Sequence, residues 1–341
     1  MTRWWMALCL FFRTLRADDS SWQLLPSLPD KEGFAGVFAG VSKDVLLVAG
    51  GANFPDKMPW EGGTKVWYDS VFALRDPKGT WEKVGRLPKA NGYGVSLTDD
   101  RGLICIGGGN ASANFNEVIR MEWDNEQLDW KALPSLPKTT ALMSGVISGR
   151  KLYILGGIEK PTDTVALADF WMLDMDCLNQ GWQAMPPCPG KPRILATMGA
   201  VNDEVFVFSG AALMLGPDGK AARDWLKDGW KFTQTQGWQP VADLPRVSVA
   251  APSPAPIREG QFLVLGGDDG ALVDFEPKNQ HPGFPRDVLA YDWKNDSWSM
   301  QGKLPFSLVT TPCVQWYERI LIPGGEARPG KRSPQIWSTS N

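Results

Sequence analysis

Histidine is almost absent: the chain holds one, His281, in 341 residues. A copper centre that needs two histidine ligands is therefore excluded. Five cysteines occur without a C-x-x-C pair or a neighbouring histidine, so no metal cluster is expected. Charge of one sign is also lacking. With 35 Lys and Arg against 38 Asp and Glu, the net charge of −3 leaves no basic footprint for nucleic acid. Long hydrophobic runs are missing, because the N-terminal run Trp4–Phe12 is too short to span a bilayer. Arg3 before it and Leu15-Arg16-Ala17 after it give the pattern of a secretory leader over residues 1–17. The expectation is a secreted or periplasmic protein with no membrane span once the leader is removed.

What the chain does contain is tryptophan, glycine and proline, at 17, 36 and 27 copies. Such a composition suits many short strands joined by tight turns. The tryptophans are periodic. The pattern W-x₆-P occurs at Trp22–Pro29, Trp81–Pro88, Trp130–Pro137, Trp182–Pro189, Trp238–Pro245 and Trp298–Pro305. Successive tryptophans are 59, 49, 52, 56 and 60 residues apart, close to the roughly 50-residue period of a kelch blade. Between them lie six apolar runs that end in glycine: 45–51, 103–109, 152–157, 205–210, 262–267 and 320–325. Each reads as a buried central strand. A segment of small residues precedes each run and suits an innermost strand, and an alternating strand such as VFAL (71–74) or VIRMEW (118–123) follows.

The order inner, glycine, third, tryptophan strand predicts an all-β, six-bladed kelch-type β-propeller. The last blade has a third strand at Pro334–Trp337 but no tryptophan strand, whereas Trp22–Pro29 is a tryptophan strand with no blade before it. Pairing the two closes the ring and removes the open edge. The blades are then about 33–88, 89–137, 138–189, 190–245, 246–305, and 306–341 with 21–29. The marker tryptophans are assigned to packing between blades. Cys105 and Cys313 fall in apolar strands, and Cys177 and Cys188 are kept apart by extended chain, so the core alone is expected to stabilise the fold.

Up-and-down strands bring the residues after each glycine pair and after each Leu-Pro to one mouth of the axial channel. Long loops there, 52–65, 211–228 and 268–286, mark that rim for binding. The last such loop, Gly324-Gly325-Glu326-Ala327-Arg328-Pro329-Gly330-Lys331-Arg332, sets a carboxylate directly after a glycine turn with three basic residues nearby. Glu326 there can accept a proton and Arg332 can clamp an acidic ligand; the alternative is a solvated loop with local ion pairs. His281 lies in the 268–286 loop with Asp268, Asp269 and Arg286, as an acid or as a loop-ordering side chain. Trp60 and Glu61 offer a stacking face and a second carboxylate, or a packed lid.

GGEARPGKR resembles the G-E-A-[KR]-P-G-x-R segment of the N-acetylneuraminate (sialic acid) mutarotases, secreted six-bladed kelch propellers. Gly36–Gly51 with Asn53, Phe54, Gly63, Lys65 and Tyr68 resembles another blade of that family, Tyr93-Gly94-Val95-Ser96-Leu97 the blade after it, and Pro192-Arg193 through Phe208 a fourth. The Glu-bearing blade comes last here instead of before the FAG-type blade, so the chain resembles a cyclically permuted mutarotase. The resemblance implies Glu326 as proton acceptor and Arg332 as the group that binds the substrate carboxylate. Asn53, Lys65, Asn91, Arg193, His281 and Arg286 are the further candidates for holding substrate. The implied reaction interconverts the α and β anomers of a free sugar acid by acid–base chemistry, with no metal or other cofactor. Where the family has arginine, two residues before Tyr-Gly-Val-Ser, this chain has Asn91; Lys89, Lys65 or Arg193 can take its place at the carboxylate. Two other readings use the same mouth: a glycan-binding kelch module without catalysis, and a sialidase. The sialidase requires S-x-D-x-G-x-x-W boxes, which the turn Arg75–Trp81 only approaches.

Overall fold

The computed structural model describes residues 22–217 and 219–340; the leader segment 1–17 and Cys9 lie outside them. Six four-stranded antiparallel sheets form a β-propeller, with short 3₁₀ turns as the only helical pieces among the described residues. Blade 1 shows the plan: Phe38–Ser42, Val45–Ala49, Ser70–Leu74 and Glu82–Arg86, in that spatial order. The second strand is fully buried because the neighbouring blades cover both of its faces, which is why it reads VLLVA without alternation.

The ring closes as the orphan strand requires. Trp22–Leu25 pairs antiparallel with Ile336–Ser340, in register Trp22↔Thr339 through Leu25↔Ile336, and completes the sheet with Arg319–Pro323 and Val314–Trp316. Trp22 then packs edge-on against Phe306 at 5.1 Å. The last strand starts two residues later than the sequence suggests, at Ile336, beyond Pro334. Blade 5 has the shortest inner strand, Ile257–Arg258, because Pro252, Pro254 and Pro256 just before it cannot donate to a ladder.

The marker tryptophans tie each outer strand to the one before. Trp81, Trp182, Trp238 and Trp298 each donate Nε1–H to a carbonyl four residues past the preceding marker: Pro26, Pro134, Pro186 and Ala242, at 2.7–2.9 Å. Cys105, Cys177, Cys188 and Cys313 are all free thiols. Burial pushes the Cys188 thiol up to about 11 and that of Cys313 to about 12, so neither offers a thiolate near neutral pH.

At the axis the six blades are linked by a cycle of backbone hydrogen bonds. Gly36 N–H donates to Thr310, Tyr93 to Gly36, Leu142 to Tyr93, Leu195 to Leu142, Ala250 to Leu195 and Thr310 to Ala250, all at 2.8–2.9 Å. All six residues sit in the left-handed region, with φ between 55° and 66°. The preceding residue of each forms a two-residue bridge to the segment after its glycine turn: Ala35↔Ala52, Gly92↔Gly109, Ala141↔Ile158, Ile194↔Ala211, Val249↔Asp268 and Val309↔Glu326. Blade geometry thus delivers six equivalent positions to one rim, and Glu326 is one of them.

Gly36 is the member with no room to vary, because a Cβ there would come within 2.7 Å of the Tyr93 ring. Gly36→Val is expected to lower unfolding free energy by about 2–4 kcal/mol through left-handed strain and this clash. Chemical denaturation checks it; an unchanged midpoint would show that the ring tolerates rearrangement.

Candidate functional site

Glu326 and Arg332 face each other because they are register partners on a tight hairpin, Glu326–Arg328 with Lys331–Arg332. Pro329-Gly330 makes its turn, with Gly330 at φ 82° as the second central residue of a type II turn requires. Glu326 Oε1 lies 2.6 Å from Arg332 Nη1 and accepts the Gly330 N–H at 2.7 Å. The Nη1 contact is close but misaligned: it is an ion pair, and Nη1 itself has no hydrogen-bond partner. Arg332 also directs Nε to the Ala52 carbonyl at 3.4 Å and Nη2 to the Tyr93 hydroxyl at 3.5 Å, and its guanidinium stands 5.2 Å from the Phe54 ring centre. Its side chain is 4% exposed, against 20% for Glu326. Burial alone would push the Arg332 guanidinium down; the Glu326 carboxylate and Tyr93 outweigh it and hold the group above the usual arginine value. Arg332 is therefore a permanent cation.

Blade 1 contributes the other wall. Its loop closes over the hairpin turn, since a Cβ on Gly330 would meet Pro59 at 2.6 Å and Trp60 at 3.0 Å. Trp60 is thus packed against the hairpin turn as a lid residue. Lys65 Nζ lies 5.2 Å from the Tyr93 ring centre, 5.3 Å from Trp67 and 5.9 Å from Phe54. No carboxylate among the described residues pairs with it. An ammonium held by three aromatic faces, with no anion, is built to receive one. Trp67 Nε1 nearby is likewise a buried donor without a partner. Lys65, Trp67 and Tyr93 open onto a cavity of about 400 Å³, bounded further by Asn110, Asn114 and Pro161. That is within the roughly 300–1,000 Å³ range of small-molecule sites. A larger cleft of about 730 Å³ on the opposite hairpins holds Arg150, Asp174, Asp203 and Thr235. It lacks the buried cation and unpartnered donors of the mouth.

The structure thus brings together Glu326, Arg332 and Lys65, and adds Phe54, Trp67 and Tyr93. Tyr93 is the residue that sequence reasoning passed over as a binding group, although it heads the Tyr-Gly-Val-Ser segment. Its exposure at the mouth follows from its left-handed φ of 61° in the axial ring.

The remaining candidates are occupied elsewhere. Asn53 is fully buried; its Nδ2 donates to Asp30 and Gly33, and its Oδ1 accepts from Tyr68. Asn91 Nδ2 donates to the Gly107 carbonyl at 2.9 Å, pinning the glycine turn, while its Oδ1 is buried without a partner. Arg193 takes the same position in blade 4 and does the same work, donating Nη1 to Ser209 O at 2.9 Å. At 1% exposure it also grips Asp228 with two bonds of 2.7 and 2.8 Å. His281 is 4% exposed, accepts the Gly283 N–H at Nδ1 and packs edge-on against Phe275 and tilted against Phe284, so it orders its loop. An accepting Nδ1 leaves the imidazole proton on Nε2. Arg286 is exposed. Among the described residues no group of three or more His, Cys, Asp or Glu could hold a metal ion.

The Arg193–Asp228 pair yields a stability prediction. Burial would raise the Asp228 carboxyl, but Arg193 and the Trp230 Nε1–H outweigh it and hold it below the usual aspartate value. A depressed carboxyl stabilises the fold above the unfolded aspartate pKa of about 3.9, and this contribution is lost as pH falls through the lower folded value. Arg193→Ala should cost about 3 kcal/mol at neutral pH and flatten the acid limb of the stability curve. Denaturant midpoints from pH 2 to 7 decide it, and a parallel downward shift of the whole curve would mean that the pair is not the source.

Residues 12–130 match the family model described as N-acetylneuraminate epimerase. Proteins named N-acetylneuraminate epimerase are similar over about a third of the chain. That of Yersinia enterocolitica is 36% identical over 125 residues, covering 31% of each chain. That of Brucella suis is 34% identical over 130 residues, 33% of each. The chain therefore spans about a third of the length of the curated relatives it matches. The matched stretch includes Lys65, Trp67, Tyr93 and Asn91 but stops before the Glu326–Arg332 hairpin. Through the two blades that form the cationic wall of the mouth, this chain resembles the N-acetylneuraminate epimerases.

Proposed function

We propose that this protein is a mutarotase that interconverts the anomers of a free sugar acid, N-acetylneuraminate in first place. The observation that carries the reading is the pairing of a carboxylate with an unsatisfied cationic pocket. Glu326 lies beside buried Arg332, and Lys65 stands without an anion over the ring of Tyr93, whose hydroxyl Arg332 reaches. A sugar acid complements both halves. Its carboxylate meets Lys65 and the Arg332 guanidinium, and its anomeric hydroxyl meets the Glu326 oxygens. Trp67 and Tyr93 meet edge-on on the cavity wall, with ring centres 6.4 Å apart, and offer aromatic surface to the apolar side of a pyranose ring.

The chemistry asks little of the protein. A base takes the proton of the anomeric hydroxyl, the ring opens to the ketone, and closure on the other face gives the other anomer. Glu326 is the base in this scheme. Arg332 holds the carboxylate in place and offers donors to the substrate. The names of the relatives and the GGEARPGKR segment support the same substrate class. The leader pattern of residues 1–17 supports a periplasmic or secreted protein within this proposal.

The test starts from a freshly dissolved single anomer of N-acetylneuraminate, with the proton signals of both anomers followed by NMR. Wild-type protein should accelerate equilibration, and Glu326→Gln should slow it about a hundredfold or more with little change in melting temperature. Binding without acceleration by the wild type would replace the mutarotase with a glycan-binding module. Lys65→Met should weaken binding of the sugar acid by about 2 kcal/mol, roughly thirtyfold, and leave binding of a neutral sugar unchanged. Equal weakening for both ligands would remove Lys65 from the carboxylate.

A further inference from the structure

Six positions are equivalent around the mouth: Ala52, Gly109, Ile158, Ala211, Asp268 and Glu326, each bridged to the residue that precedes a member of the axial ring. Only two carry an ionisable side chain, and they belong to adjacent blades. Asp268 is bridged to Val249 and Glu326 to Val309, and the neighbouring ring residues are bonded directly, Thr310 N–H to Ala250 C=O at 2.8 Å. From Asp268 to Glu326 the path is therefore two short bridges and one hydrogen bond, with no flexible segment.

The loop after Asp268 is fastened to the Glu326 strand as well. Ser307 Oγ accepts the Phe284 N–H at 2.6 Å and donates to the Ala327 carbonyl at 3.0 Å. A Cβ on Gly283 would lie 3.0 Å from that same carbonyl, so the two loops touch. Beneath them Ile158, Ala211, Val249, Ala250, Phe284 and Val309 form a buried apolar floor. Asp268 Oδ1 accepts the Gly270 N–H at 3.0 Å, and Gly270 is pressed against the Trp225 ring.

We propose that Asp268 is the general acid of the mutarotase, donating its carboxyl proton to the ring oxygen while Glu326 accepts the proton of the anomeric hydroxyl. This rests on the mutarotase reading above and names the acid that reading requires. In ring opening, the O–H electron pair of the anomeric hydroxyl becomes the new carbon–oxygen π bond. The bond from the anomeric carbon to the ring oxygen breaks, and its pair stays on the ring oxygen, which takes the proton of Asp268. Rotation about the bond to the carbonyl carbon exposes its other face. Closure returns the hydroxyl proton to Asp268 and the Glu326 proton to the new anomeric oxygen, so both groups end as they began.

The surroundings of the two carboxylates differ as an acid and a base require. Burial, first, pushes the Asp268 carboxyl above the usual aspartate range. The neighbouring Asp269 and Glu326 charges add to the rise, while the Gly270 N–H and Arg223, on the hairpin of blade 4, oppose it. Glu326 instead has a guanidinium and a backbone N–H directed at one oxygen.

Asp268→Asn keeps the acceptor for Gly270 N–H and removes the proton. With the NMR assay, the variant should lose about a hundredfold or more in equilibration rate while its affinity for N-acetylneuraminate stays within about threefold. The wild-type rate should fall on the alkaline side as Asp268 ionises, and this limb should vanish in Asp268→Asn. Should that variant fold poorly, Asp268→Glu decides the question: it should retain the alkaline limb at reduced rate. Wild-type rates in Asp268→Asn, or an unchanged alkaline limb, would overturn the assignment and leave the mutarotase standing. No acceleration by the wild type would remove both.

Discussion

Everything at the mouth depends on the cycle of six backbone hydrogen bonds at the axis. Each bond passes from one blade to the next, so no blade can shift without breaking two of them. Five of the six residues, Tyr93, Leu142, Leu195, Ala250 and Thr310, are not glycine yet hold a left-handed φ. Such a conformation costs about 1–3 kcal/mol per residue and persists only where the surroundings dictate it. Here the bridge before each residue and the ring bond at it supply that constraint. The consequence is a rigid hexagon of chain that turns Tyr93 toward the mouth and sets Glu326 and Asp268 on neighbouring corners.

Around this frame the polar chemistry is divided between structural and open groups. Arg193, Arg246 and Asn91 look like binding residues by type, but each directs its donors to the carbonyl of a glycine-turn residue: Ser209, Gly266 and Gly107. Those carbonyls lie in buried or part-buried turns, and leaving one unpaired would cost as much as a lost hydrogen bond. At the mouth Lys65 has no carboxylate beside it, Trp67 Nε1 has no hydrogen-bond partner, and Arg332 Nη1 is engaged only by its ion pair with Glu326. Cationic and donor groups with spare capacity around one mouth are a reason to expect an anionic ligand there.

Much of the fold was legible because a propeller repeats its instructions. The W-x₆-P spacing, the glycine-ended runs and the unmatched tryptophan strand together implied six blades and a closure between residues 22–25 and 336–340. The site was legible only in part. GGEARPGKR pointed to Glu326 and Arg332, whose contact follows from a two-residue turn and so from local sequence. Lys65 was found as a cation, but not that three rings would surround it. Arg193 and Asn53 were misleading because residue type alone does not tell whether a polar side chain faces the mouth or plugs a turn. His281 was misleading for the same reason, since two phenylalanines from its own loop enclose it.

The sequence by itself determined the strand order, the blade count, the ring closure and the Glu326–Arg332 pair. All of these are set by contacts within one blade or by a repeat that every blade shares. Only the tertiary structure decided which blades meet across the mouth. It placed Tyr93 between Lys65 and Arg332, and Asp268 beside Glu326, although these residues are separated by 28 or more positions along the chain. The physical reason is that a single copy of the repeat carries no information about its angular position. That position is created when the hydrogen-bond cycle closes and fixes every blade against its two neighbours.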